Sequence, residues 1–182
     1  MVVRARGDVW PGASEVLDHV TPLQVWIENR GHEPIQIRYS EMSLQNSDGQ
    51  TFRALAPWDI HGTVEVDVSV VPKSGPDSES TATTYGGYTY TNVEVKPPLA
   101  IRSLPYYDHL YDHWTADVPL PTPDMNQRAL PEALLEPRAE ASGFVYFEPI
   151  PKGQRELVTL NVAVVNAGSD AVVAKAEIPF QR

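Results

Sequence analysis

The sequence predicts a mainly β protein built as an antiparallel β-sandwich, and three observations lead there. Apolar and polar residues alternate at period two in run after run along both ends of the chain. Clusters of Asn, Asp and Gly punctuate those runs at the short spacing of sandwich strands. With 182 residues, 42% of them hydrophobic and 21% charged, the chain has the composition of one ordinary globular domain.

The elements follow in order. Residues 2–8 supply an edge strand. In residues 21–29, Leu23, Val25 and Ile27 alternate with Gln24, Trp26 and Glu28, the signature of a half-buried strand. Asn29 to Pro34 carry turn chemistry. Ile35, Ile37 and Tyr39 resume the alternation, and its phase slips before Met42, which predicts a bulge near Ser40 and Glu41. Met42 and Leu44 lead into Asn46-Ser47-Asp48-Gly49, a hairpin signal, followed by Thr51 and Phe52. Val64, Val66, Val68 and Val70 form a further run with one wet face. Near the C-terminus come a short aromatic strand at 144–147, an alternating run at 158–164, a turn at 166–170 and a last run through Ala174, Ala176, Ile178 and Phe180.

Residues 72–137 break the pattern. They hold 10 of the 17 prolines and 6 of the 8 tyrosines, a composition unsuited to long central strands. The chain therefore reads as a single sandwich domain over 1–182 with a long Tyr/Pro-rich insertion at 72–137 between sandwich strands. One or two short helices fit inside the insertion. Ser103 can cap a helix running to Trp114. Thr122-Pro123-Asp124 is a better start, with a hydroxyl cap before proline and an acid in the first turn, and Pro131 ends that helix near Leu130.

Composition also limits function. Lys and Arg number 14 against 24 Asp and Glu, a net charge of −10, which argues against nucleic-acid phosphates and acidic membrane surfaces as partners. The absence of cysteine removes disulfides, thiolate metal sites and cysteine nucleophiles. No apolar run approaches the roughly 20 residues that span a bilayer. Residues 1–11 carry Arg4, Arg6 and Asp8 and are not a signal peptide, leaving either a cytoplasmic protein or one whose export segment lies upstream of Met1.

Several segments together carry a resemblance: Val20-Thr21-Pro22-Leu23 with Ile27-Glu28-Asn29, Pro34 to Tyr39, Asp48-Gly49 with Phe52 to Leu55, Ala129-Leu130-Pro131-Glu132 with Leu135-Glu136-Pro137, and Ser142 to Phe147. This resembles uncharacterised bacterial exported proteins, often lipoproteins, with an immunoglobulin-like sandwich. It covers most of the chain outside the tyrosine-rich insertion. Arg138 stands where such sequences commonly have glycine. The resemblance implies an immunoglobulin-like β-sandwich in the cell envelope, periplasmic or anchored at the outer membrane, with a lipid anchor upstream of Met1. It carries no catalytic residue.

Two constellations have chemical content. In Asp108-His109-Leu110-Tyr111-Asp112-His113, a helix would bring His109 and His113 to one side at i and i+4, and Asp108 and Asp112 likewise. Two imidazoles and a carboxylate can hold Zn²⁺, but the glutamate of a zinc-protease motif is absent and a third protein ligand must come from elsewhere. A solvated helix face opposite Tyr107, Tyr111 and Trp114 explains the same residues without metal. The second constellation is aromatic: Tyr85, Tyr88, Tyr90, Tyr106, Tyr107 and Tyr111 suit sugar rings, peptide strands or partner proteins, and equally a satellite core. No Gly-x-Ser-x-Gly elbow and no phosphate loop is present, while Glu65 and Asp67 read as a charged strand face.

The expectation is thus a protein without catalytic residues or cofactor, acting as an interaction or assembly module of the bacterial envelope with another envelope protein as partner. The alternatives are a metal-binding envelope protein using Asp108, His109, Asp112 and His113, and a carbohydrate-binding accessory module using the tyrosines.

Overall fold

Half-buried alternation in a sequence needs a second apolar surface to close on, and the computed structural model shows where that surface comes from. It describes residues 1–71, 82–85, 88–91, 95–96, 114–151 and 157–181. Along the chain lie β1 (Val2–Arg6), β2 (Thr21–Glu28), β3 (Ile35–Gln36), β4 (Met42–Asn46), β5 (Thr51–Leu55), β6 (Thr63–Val71), β7 (Ala82–Tyr85), β8 (Tyr88–Thr91), β9 (Val95–Lys96) and β10 (Trp114–Pro119). Helix α1 (Pro123–Arg128) follows, then β11 (Leu134–Leu135), β12 (Glu140–Phe147), β13 (Leu157–Asn166) and β14 (Val172–Gln181). The chain divides into two compact units, one made of Met1–Ile60 and Met125–Arg182, the other of His61–Asp124.

The first unit is mainly β and antiparallel, as the sequence predicts, and has the form of a β-sandwich. β1, β2 and β12 make one layer, with β2 between the other two. In the other layer β13 pairs with β4 and β3 along one side and with β14 along the other. β5 joins the layers: Thr51 to Arg53 pair with β4, and the next residues, Ala54 and Leu55, pair with β12. That strand closes one side of the sandwich. On the other side β1 and β14 are edges, each with a single strand neighbour among the described residues.

Period-two alternation converts directly into the core. Leu23, Val25 and Ile27 of β2 and Val145 and Phe147 of β12 join Met42 and Leu44 of β4 and Val158, Leu160, Val162 and Val164 of β13 in one buried cluster. Each fully buried aliphatic or aromatic side chain contributes roughly 1.5–3 kcal/mol relative to an exposed one. Ile37 and Tyr39 point inward as their alternation requires. Their backbone, however, leaves the ladder after Gln36 and makes a 3₁₀ turn at Tyr39–Glu41 instead of the expected bulge.

β12 is longer than the aromatic stretch predicted, because Glu140 to Gly143 also pair with β2. Both faces of its aromatic end are buried. Val145 and Phe147 enter the core, while Phe144 and Tyr146 lie under the ring of Trp10, edge-on at 5.1 and 5.8 Å.

The second unit holds a five-stranded sheet in the order β8, β7, β6, β10, β9. This moves one element relative to the sequence reading. The valine run of β6, expected to be a sandwich strand, pairs with β10 and β7, and Val64 and Val66 are buried opposite Val118 and Ala116. Alternation says that one face is covered without saying by what. The compact unit accordingly begins at His61 and ends at Asp124, whereas the insertion read from composition spans 72–137.

Of the two expected helices, the one starting at Thr122 is present as α1, with the Thr122 hydroxyl on the Asp124 carboxylate. It ends at Arg128, before Leu130, because Ala129 bridges to Phe144 and the Leu130 amide donates to the Phe144 carbonyl at 2.8 Å. The helix expected over 103–114 lies outside the described residues except for Trp114, which opens β10.

Candidate functional site

Tyr106, Tyr107, Asp108, His109, Tyr111, Asp112 and His113 lie outside the described residues. Tyr85 is in register with Tyr88 in the β7–β8 ladder, and Tyr90 with Thr83. Among the described residues, no group of three His, Cys, Asp or Glu is arranged to hold a metal ion.

The structure directs attention to the open side of the sandwich, where β1 and β14 leave a cavity at each end. At the Met1 end, a cavity of about 340 Å³ is walled by Asn29, Glu33, Asn166 and Val173. The side chains of Asn29, Glu33 and Asn166 are already committed. Asn29 is 1% exposed; its side-chain amide donates to the Glu33 and Leu135 carbonyls at 2.9 Å each and its oxygen accepts from the Gly31 amide at 2.9 Å. The Asn166 amide donates to the Glu33 carboxylate at 2.7 Å, and its oxygen accepts from the amides of Gly168 and Ser169 at 2.9 and 3.1 Å. These bonds fasten two turns, which is a folding task.

The cavity at the other end is different in kind. It measures about 270 Å³ and is lined by Asp8, Trp10, Leu17, Pro22, Leu23 and Phe180 together with Gly7 and Thr21. Each wall has a local cause. β1 stops at Arg6, and Asp8 takes the left-handed region at φ 53°, a conformation that Asp tolerates better than most residues, turning the chain away from the sheet. Trp10 then folds across Phe144 and Tyr146 and anchors its indole N–H on the Ala13 carbonyl at 3.2 Å. A 3₁₀ turn at Ser14–Asp18 buries Val16 and presents Leu17, and β14 supplies Phe180 from the opposite layer.

No family model, curated protein or solved structure matches this chain. The walls of the cavity beside Trp10 are apolar and aromatic, with one exposed carboxylate, Asp8, at the rim. Thr21 is occupied, its hydroxyl accepting from the Ile150 amide at 3.2 Å. Among the described residues that line the cavity, no nucleophile is paired with a base. The cavity can take one apolar side chain and attract a cation or a backbone N–H beside it.

Sequence reasoning missed this cavity because its walls come from the β1 exit, the segment leading into β2, the first residues of β2 and the end of β14. Trp10 was the available signal. A tryptophan flanked by Val9 and Pro11, outside any alternating run, has no strand face to occupy and must find another surface.

Proposed function

We propose that the chain is a non-enzymatic interaction module of the bacterial cell envelope that seats an apolar side chain of a partner protein in the cavity beside Trp10. The observation that carries this reading is the cavity itself, walled by Trp10, Leu17, Pro22, Leu23 and Phe180, with Asp8 as its carboxylate. Aromatic walls that hold an inserted side chain away from water are where binding energy concentrates in protein interfaces. The net charge of −10 favours a partner with basic residues flanking its apolar anchor. The resemblance to exported sandwich proteins supports a place in the envelope, and the chain's −10 charge disfavours nucleic acid as the partner.

Site-specific photo-crosslinking in cells tests the reading. A photoreactive residue replacing Leu17 should give a discrete adduct that Trp10→Ala removes, while the same residue at exposed Thr51 of β5 should give none. Identical adducts at both positions, or an adduct at Leu17 that ignores Trp10→Ala, would count against it.

A further inference from the structure

The second edge strand carries a different message, independent of the cavity. β14 is ten residues long and pairs only with β13 among the described residues. A long edge with no strand paired on its outer side among the described residues is a template for another strand. Pro179 stands opposite Thr159. Having no N–H to give β13, it occupies a non-hydrogen-bonded pair there. By the antiparallel alternation, Glu177 opposite Asn161 and Lys175 opposite Ala163 do the same. The backbone N–H and C=O groups of Lys175 and Glu177 therefore point outward from the edge, and their side chains are exposed.

We propose that β14 is a self-complementary edge that pairs antiparallel with β14 of a second copy of the chain, about a two-fold axis at Ala176. In that register Lys175 of each copy meets Glu177 of the other. Those are the residues whose outward backbone groups can exchange hydrogen bonds, so charge and ladder agree on one alignment. Ala174 then lies opposite Ile178, and Ala176 opposite its own counterpart in a non-hydrogen-bonded pair, where Cα atoms approach to about 4.5 Å. Shifting the partner strand by one residue would set outward backbone groups against inward ones and lose both the ladder and the Lys–Glu match. Pro179, offering a carbonyl alone, limits the ladder at its end and keeps the pairing from extending.

Sedimentation equilibrium of the full chain over a concentration series, at about 0.15 M salt where the Debye length is roughly 8 Å and the like net charges are screened, reads the association directly. Lys175→Glu and Glu177→Lys should each weaken the dimer by about tenfold or more in Kd, because each sets like charges opposite one another. The double reversal Lys175→Glu/Glu177→Lys should restore Kd to near that of the parent, which a folding defect would not allow. Register is read separately. The chain has no cysteine, so on oxidation Ala176→Cys should form a disulfide-linked dimer, while Ala174→Cys, opposite Ile178, should not. A monomer at every concentration, a dimer indifferent to both charge reversals, or equal crosslinking of the two cysteine variants would overturn the proposal. The cavity reading would survive any of these results, since it rests on Trp10.

Discussion

Tyr39 shows how one side chain holds distant segments together. Its hydroxyl donates to the Leu130 carbonyl, its backbone amide donates to the Glu132 carboxylate at 2.7 Å, and its ring meets Trp58 edge-on at 6.3 Å. Burial, with the nearby Glu132 carboxylate, pushes its hydroxyl from the ordinary 10.0 up to about 12. The folded state therefore keeps this proton at a pH where the unfolded chain has lost it. The resulting stability is complete below about pH 10, falls as pH rises, and is gone above about pH 12. Tyr39→Phe should lower stability at neutral pH by about 1–2 kcal/mol, because the Leu130 carbonyl loses its donor. It should also flatten the decline at alkaline pH. Urea unfolding of both proteins at neutral and alkaline pH measures this, and an unchanged alkaline slope in the variant would assign the effect to other tyrosines. Asn29 makes a complementary point about legibility. Its place in a turn is readable from Asn29-Arg30-Gly31, but its bond to the Leu135 carbonyl spans 106 residues, and no local pattern encodes a partner that far away.

Strand positions were the most legible feature at the scale of elements, because alternation is a direct imprint of a surface wet on one side. β2, β4, β5, β13 and β14 lie where their patterns place them. Two elements were less legible for physical reasons. β6 alternates as a sandwich strand would, yet it pairs with β10 and β7 in the sheet of the second unit. The segment at Tyr39–Glu41 keeps its inward side chains while its backbone tightens into a 3₁₀ turn, so burial pattern and ladder part company. β12 yields a sharper consequence. A Cβ added at Gly143 would sit 2.4 Å from the Leu130 nitrogen and 2.5 Å from its Cα, both main-chain atoms that cannot swing aside. This close approach is what lets 129–130 run along β12 and places Leu130 in the core. Gly143→Ala should therefore destabilise the protein by roughly 1–3 kcal/mol through overpacking. Thermal unfolding checks it, and a melting temperature equal to the parent's would mean that the segment moves away without cost.

At the level of the whole molecule, composition excluded more than it identified. A net charge of −10 disfavours nucleic acid, and the described residues contain no helix long and apolar enough to cross a membrane. The candidate site was least legible. Its walls are gathered from residues 7–23 and from Phe180, segments whose proximity depends on the sandwich closing at β5 and staying open at β1 and β14. That open side gives the molecule its two proposed surfaces: a cavity for an apolar anchor and an edge for a second copy. A peptide titration followed by amide and indole NMR signals tests whether the cavity takes an apolar side chain next to a positive charge. Short peptides with a Leu or Phe anchor flanked by Lys should shift the signals of Gly7, Leu17, Phe180 and the Trp10 indole. Exchanging the flanking Lys for Glu should weaken binding, and Asp8→Asn should remove most of that difference. Shifts confined to other surfaces, or equal affinity for Lys- and Glu-flanked peptides, would contradict the account.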